Sequence, residues 1–179
     1  MIKVSIIIVS YNTKKLLENC ISSVLNAGDP TIEMEVIVVD NASTDGSIQM
    51  VREKFPYVKL IVNRENLGFA CAVNQGLRES ESRYKLLLNS DTIIIGNAIK
   101  TMLEFLEQNP SVGAVRPRIF SPRGKLQRQG SGFWRFLKSP DTPHKLKWIS
   151  GCCMMMRDEV IRDIGLFDEK FFFYNEDVD

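Results

Sequence analysis

Three short apolar runs in this chain each stop abruptly on polar residues. Val4–Val9 runs into Ser10-Tyr11-Asn12, Val36–Val39 into Asp40-Asn41-Ala42-Ser43-Thr44-Asp45, and Leu86–Leu88 into Asn89-Ser90-Asp91. Runs of this length, rich in Val, Ile and Leu and without alternation, predict strands covered on both faces. In an open parallel sheet, ligands bind outside the carboxyl ends of the strands. The pattern therefore lines amides, hydroxyls and carboxylates along one sheet edge.

Helical spacing fills the gaps between these runs. The first strand spans Lys3–Ser10, and Leu16, Leu17, Cys20, Ile21, Val24 and Leu25 follow it at helical spacing. Asn26-Ala27-Gly28-Asp29-Pro30 ends that helix. The second strand is Glu35–Asp40, after which Ser43 or Asp45 stands where a helix cap belongs. Ile48, Val51 and Phe55 form the inner face of that helix, and Pro56 terminates it. Val58–Asn63 is a third strand, and Asn66-Leu67-Gly68-Phe69 opens a helix ending at Arg78. Tyr84–Asn89 is a fourth strand; Asn97 then caps a helix with Met102, Leu103 and Leu106 inside, stopped by Asn109-Pro110 before the short strand Val112–Val115. The order βαβαβαβαβ implies an α/β fold with a mostly parallel central sheet flanked by helices on both faces.

After Arg116 the texture changes. Arg118–Arg128 reads as a hairpin turning at Ser121-Pro122-Arg123-Gly124. Gln129–Lys147 is rich in Gly, Pro and basic residues without periodicity, and reads as a mobile loop over one sheet edge. Trp148–Arg157 is a strand, Asp158–Ile164 a short helix, and Phe171–Tyr174 an aromatic run that should be packed. No linker divides the chain, so a single domain over residues 1–179 is expected.

Composition narrows the field. The chain has 179 residues, 44% hydrophobic and 25% charged, which suits a globular protein with a real core. Basic residues number 23 and acidic residues 22, so nothing global argues for nucleic acid. No stretch approaches the roughly 18 apolar residues of a membrane span. Met1 leads directly into a strand, which leaves no room for a signal peptide. Cys20, Cys71, Cys152 and Cys153 have no CxxC spacing and read as reduced thiols of a cytoplasmic protein.

The candidate chemistry sits mainly at the strand ends. Asp40 either closes a turn or accepts hydrogen bonds from a ribose hydroxyl or a base N–H. Asn41 and Asp45 are explained by turn chemistry alone. Asn89-Ser90-Asp91 is either a strand-ending turn or a carboxylate for a hard cation bridging phosphates; Mg²⁺ typically takes only one or two protein carboxylates. The chain has no GxGxxG after its first strand and no GxxxxGK[ST] anywhere, which argues against a dinucleotide oxidoreductase and a P-loop NTPase. Diphosphate charge must then be met by a metal or by Arg and Lys of the loop. Glu176-Asp177-Val178-Asp179 is either a solvated acidic run or a carboxylate pair for general-base work. Gly151 permits close approach of a ligand or is a plain strand glycine. Cys152, Cys153 and Met154-Met155-Met156 fill the core on both faces, and His144, the single histidine, reads as solvated.

In series, these motifs resemble the family 2 glycosyltransferases, which have the GT-A nucleotide-diphospho-sugar transferase fold. Val9-Ser10-Tyr11-Asn12 is similar to that family's first motif, and Val38-Val39-Asp40-Asn41-Ala42-Ser43-Thr44-Asp45-Gly46 to its second. Asn66-Leu67-Gly68-Phe69-Ala70, with Asn74 and Gly76, resembles the third. Leu87-Leu88-Asn89-Ser90-Asp91 stands where the family has DxD. Gly165-Leu166-Phe167-Asp168-Glu169, then Phe172-Phe173-Tyr174 and Glu176-Asp177-Val178-Asp179, resemble its acceptor-side catalytic motif.

The resemblance implies inverting transfer of a sugar from a UDP-, dTDP- or GDP-sugar to a hydroxyl of a glycan or lipid-linked acceptor, in cell-surface polysaccharide synthesis at the cytoplasmic side of the membrane. It implies a nucleotide site at Ser10, Tyr11, Asn12, Asp40, Asn66, Gly68, Asn74, Asn89 and Ser90, with Asp40 on a uracil or thymine base. Asp91 would bind Mg²⁺ or Mn²⁺, Asp177 with Glu176 would supply the base, and Trp148 and Gly151 would line the donor and acceptor pocket. Residues 1–116 form the nucleotide-binding half and 117–179 the start of the acceptor half. Asn89 departs from the first Asp of DxD, as in rhamnosyltransferase-type members. The chain ends where family members continue, so it is expected to be an N-terminal fragment that transfers sugar poorly alone. Two other readings stay open: a nucleotide-sugar-binding module without catalysis, and a nucleotidyltransferase, which usually carries a Gly-rich first loop that is absent here.

Overall fold

The three apolar runs lie side by side in the middle of one sheet. The computed structural model describes residues 2–127, 143–146 and 149–172. Strand β1 (Ile2–Ser10) pairs in parallel with β2 (Ile32–Asp40) on one side and with β4 (Tyr84–Asn89) on the other. Strand β3 (Lys59–Val62) extends the parallel set beyond β2. Helices α1 (Lys14–Asn26), α2 (Ser47–Lys54), α3 (Phe69–Arg78) and α4 (Ala98–Gln108) make the crossovers.

The remaining elements are β5 (Ala114–Val115), the hairpin strands β6 (Ile119–Phe120) and β7 (Leu126–Gln127), β8 (Cys153–Arg157) and α5 (Asp158–Ile164). The sheet order is β3-β2-β1-β4-β8-β5. The strand after α4 therefore does not pair with β4. β8 lies between them, antiparallel to both. The strand expected over Trp148–Arg157 is confined to Cys153–Arg157, and residue 148 lies outside the described residues. Phe172 is 59% exposed rather than packed. On α2 the buried residues are Ser47, Met50 and Val51, while Ile48 and Phe55 are half-buried.

The missing alternation in the strands has a direct cause: each face of the sheet meets its own core. Ile6, Ile8, Val36, Val38, Leu86 and Leu88 pack with Leu17, Ile21 and Val24 of α1 and with Met102, Leu103 and Leu106 of α4. Ile7, Ile37, Val39 and Leu87 pack against Ala72, Val73 and Leu77 of α3. The methionine run divides as a strand must, with Met155 in the first core and Met154 and Met156 in the second. Cys20 and Cys153 are buried, Cys71 and Cys152 half-buried, and all four are free thiols. His144 is exposed.

The far end of the sheet, away from the polar strand ends, is closed by satisfied charges. Arg157 donates from Nε to the Val112 carbonyl (3.0 Å), from Nη1 to the Tyr84 hydroxyl (3.1 Å) and from Nη2 to the Leu106 carbonyl. Lys85, buried on β4, pairs with Asp158 at 2.8 Å. Among the described residues no helix is long and apolar enough to cross a membrane.

Helix α3 lies close enough to β1 that a Cβ at Gly76 would overlap Cγ2 of the Ile7 side chain. Gly76→Ala must therefore shift the helix or the strand. Overpacking of this kind costs about 1–3 kcal/mol. Urea unfolding should show that loss with an unchanged slope; an unchanged midpoint would mean that the contact yields freely.

Candidate active site

The parallel registers bring the polar strand ends level. Ser10 stands opposite Asp40, and Val9 opposite Asn89. Asp40 is 1% exposed. Its Oδ1 accepts the Ser43 N–H at 2.7 Å, whereas its Oδ2 is buried and accepts nothing among the described residues. Buried polar atoms almost always have a partner, and leaving one without costs about 1–3 kcal/mol, more when it is charged.

A chain of hydroxyls crosses from β1 to β4. Ser10 Oγ lies 3.1 Å from Thr13 Oγ1, and Thr13 Oγ1 donates to Ser90 Oγ at 3.0 Å. Thr13 has one proton, so Ser10 donates to Thr13, and the Ser90 proton ends the chain beside Asp91. Asp91 itself is exposed and makes no hydrogen bond or ion pair within the described residues. Burial, with the Asp91 charge next in size, pushes the Cys20 thiol of α1 up to about 12. This places the Asp91 carboxylate on the α1 side of the edge.

The loops after β1 and β2 are welded together. Asn12 N–H donates to Ser43 Oγ and Asn12 Oδ1 accepts the Thr44 N–H, both at 2.8 Å. Asp45 accepts the Lys14 N–H (2.8 Å) and both the N–H and O–H of Ser47 (3.0 and 2.6 Å). It thereby serves the α2 start, although the cap position itself is Gly46. Burial pushes the Asp45 pKa up, but these hydrogen bonds outweigh it and hold the carboxyl below its ordinary value. Asn12 (φ 53°) and Ala42 (φ 65°) are the non-glycine residues with left-handed backbone among the described residues. Such conformations concentrate at functional sites. The Tyr11 ring stands 48% exposed at the rim.

The third motif builds a different feature. Asn41 Nδ2 donates to the Gly68 carbonyl (3.1 Å), and Asn41 Oδ1 accepts from Asn63 Nδ2 (2.8 Å). Asn66 Oδ1 accepts the Gly68 N–H at 3.0 Å. Gly68 has φ +84°, and a Cβ there would come within 2.6 Å of the Phe172 carbonyl oxygen. That oxygen accepts the Phe69 N–H at 2.8 Å. Asn74 is fully buried on α3. Its Nδ2 donates to the Phe167 carbonyl (2.8 Å) and Glu169 Oε1 (3.0 Å), and its Oδ1 accepts the Phe167 N–H (3.1 Å). Arg78 Nη2 joins Glu169 at 2.8 Å. Hydrogen bonds from Asn74 and then Arg78 hold the Glu169 carboxyl below its usual range. Asn74 and the Phe69 N–H therefore latch the 167–172 segment onto α3, while Asn66 and Asn41 fix the backbone of Gly68 at its start.

The remaining candidates divide. The Asn89 N–H donates to the Cys152 carbonyl at 3.0 Å, which ties β4's end to the segment before β8. Gly151 is buried with the Phe69 ring 3.6 Å from where a Cβ would sit, an ordinary contact. Trp148, Glu176 and Asp177 lie outside the described residues. Among the described residues no group of three His, Cys, Asp or Glu side chains could hold a metal. Asp91 is an exposed carboxylate at the edge, which suits a cation whose other ligands are phosphate oxygens and water. Arg116, which sequence reasoning passed over, has Nε and Nη1 buried without a partner. A cleft of about 290 Å³ lined by Thr31, Lys100 and Glu107, and one of about 190 Å³ lined by Ser82, Arg83 and Asp158, lie at the opposite end of the sheet. Their charges are paired with one another.

Comparison with known proteins decides the family. The sequence model of glycosyl transferase family 2 matches residues 5–165. The chain belongs to that family. It is 30% identical to the poly-β-1,6-N-acetyl-D-glucosamine synthase of Staphylococcus epidermidis, across 92% of this chain and 42% of that protein. It is 25% identical to the N-acetylglucosaminyl-diphospho-decaprenol L-rhamnosyltransferase of Mycobacterium tuberculosis, across 97% of this chain and 67% of that protein. This family 2 chain thus spans less than half the length of the synthase. Residues 1–349 of S. aureus TarS share the fold with a TM-score of 0.78 at 23% identity, covering 98% of this chain and 53% of that fragment. The mannosyltransferase PcManGT of Pyrobaculum calidifontis, solved with GDP-Man and Mn²⁺, gives a TM-score of 0.69 at 23% identity, covering 93% and 47%. The fold is GT-A.

Asn74→Ala should destabilise this domain by about 1–3 kcal/mol through the buried partners left unpaired. Gly68→Ala should do the same through its left-handed backbone and the Phe172 clash. Denaturant midpoints test both, and wild-type midpoints would mean that the latch contributes nothing. Asp45, with its pKa lowered by folding, contributes stability that is present above its unfolded pKa and lost as pH falls through the folded one. Asp45→Asn should therefore flatten the acid side of the stability profile, and an unaltered profile would exclude that contribution.

Proposed function

We propose that this chain holds the donor site of an inverting, metal-dependent glycosyltransferase. The observation that carries the reading is the buried, unpartnered Oδ2 of Asp40 at the carboxyl edge of a family 2 sheet. It needs an N–H donor at the place where nucleotides bind α/β sheets. Uracil and thymine offer a ring N–H at N3 and guanine at N1, so the donor is a UDP-, dTDP- or GDP-sugar. TarS has been solved with UDP-GlcNAc and PcManGT with GDP-Man and Mn²⁺, which supports both the ligand class and the metal.

Asp91 would hold Mg²⁺ or Mn²⁺, with the Ser90 hydroxyl beside it. The metal, when bound, offsets the charge that builds on the departing nucleoside diphosphate. Asp177, assisted by Glu176, takes the proton of the acceptor hydroxyl. The acceptor oxygen forms its bond to the anomeric carbon as the bond from that carbon to the diphosphate oxygen breaks, which inverts that centre. The names of the synthase and the rhamnosyltransferase support a glycan or lipid-linked acceptor in cell-surface polysaccharide synthesis.

Calorimetry on the full-length protein with UDP, dTDP and GDP, each with Mn²⁺, tests the donor site. Asp40→Asn keeps one acceptor where two are needed, for Ser43 and for the base, so it should weaken binding about tenfold or more. Equal binding by the variant would contradict the assignment. Asp91→Ala should abolish the metal dependence of binding. Asp177→Asn should lower turnover by about 10²–10⁴-fold; retained turnover would remove it as the base. Nucleotide binding with no turnover in the wild type would favour a binding module instead.

A further inference from the structure

Arg116 has no role in the site described so far, yet its environment demands one. β5 pairs Ala114 with Met156 and Val115 with Met155. The next residue, Arg116, thus falls level with Met154, which stands opposite Leu87, two residues before Asn89 at the end of β4. Arg116 is the first residue past the end of β5. Its charge interacts with Cys152 and Cys153, and the Cys152 carbonyl holds the Asn89 N–H. Arg116 therefore lies next to the Cys152–Asn89 junction, at the sheet edge that carries Asp91.

The guanidinium is poorly served there. Nε and Nη1 are buried with no acceptor. Burial, opposed by the two cysteines, lowers its pKa from the ordinary arginine value. Cys153 offers no counter-charge, because burial pushes its thiol up to about 12 and keeps it neutral. Arg157, at the far end of the same sheet, is the internal comparison: all three of its nitrogens donate to protein oxygens. Arg116 as a whole is half-buried, but two of its three nitrogens are buried and lack an acceptor among the described residues, which is costly for a charged group, so an anion is the natural partner for Arg116.

We propose that Arg116 is an anion-binding residue that receives a diphosphate group at the carboxyl edge of the sheet. The inference rests on the donor-site reading above and adds a protein cation to it. The planar guanidinium fork suits phosphate oxygens in a bidentate pair. A diphosphate can come from either substrate: the nucleotide of the donor, or a lipid diphosphate acceptor of the kind named for the mycobacterial relative.

The test uses the full-length protein, Arg116→Met and Arg116→Lys, with UDP plus Mn²⁺, uridine, and geranyl diphosphate as a short lipid diphosphate. Arg116→Met should lose about tenfold or more in affinity for at least one diphosphate and nothing for uridine, with Arg116→Lys intermediate. Loss on UDP identifies the donor as the source, and loss on geranyl diphosphate the acceptor. Unchanged affinity for both overturns the proposal while leaving the donor site intact; a wild type that binds no nucleotide overturns the donor site first. Melting temperatures keep the result decisive should Arg116→Met bind poorly through misfolding. Inorganic pyrophosphate should raise the melting temperature of the wild type more than that of Arg116→Lys, and an equal rise would overturn the proposal. Ligand-free Arg116→Met should be no less stable than the wild type, since it removes an unpaired charge. A clear fall in stability with unchanged affinity would show that the protein itself supplies the counter-charge, which also overturns it.

Discussion

The level parallel pairing of β1 with β2 and β4 is the constraint on which the site depends. It sets Ser10 against Asp40 and Val9 against Asn89, so that three loops leave the sheet at one height. A slip of one residue in either pair would turn every side chain to the other face. It would exchange the α1-side core for the α3-side core and take Asp40 out of line with the hydroxyl chain. The close fit of Ile7 against Gly76 acts on the same register, because α3 seats only where β1 offers that side chain.

With the register fixed, the polar residues at the edge take on separate work. Asn12, Ser43 and Asp45 hold two loops to each other. Asn74 and the Phe69 N–H hold the 167–172 segment to α3, and Asn66 fixes Gly68 beside it. These residues are motif-forming because the architecture needs their hydrogen bonds and backbone angles. Among the described residues, the groups at this edge without a partner include Asp40 Oδ2, the Asp91 carboxylate, the Ser90 proton and Nε and Nη1 of Arg116. That remainder combines an acceptor for a base N–H, a hard oxygen for a cation, and a donor fork for phosphate. On the proposed reading it is the complement of a nucleoside diphosphate along one sheet edge.

The central strands were legible in the chain because burial on both faces leaves unbroken apolar runs, and their polar stops marked the edge. The place of β8 was not legible. Trp148–Arg157 reads as a strand, but nothing in its periodicity says that the observed strand, Cys153–Arg157, enters between β4 and β5, antiparallel to both. The functional meaning of Asn74 was also hidden, since its partners, Phe167 and Glu169, lie more than ninety residues away in sequence. Arg116 gave no sign because a basic residue after a two-residue strand looks like any surface position; only its unsatisfied burial distinguishes it.

The most direct measurement is a crystal structure of the full-length protein with a nucleoside diphosphate and Mn²⁺. The account predicts a base N–H within about 3 Å of Asp40 Oδ2, with the diphosphate at the Asp91 end of the edge. A base bound elsewhere, with Asp40 Oδ2 still lacking a donor, would contradict it.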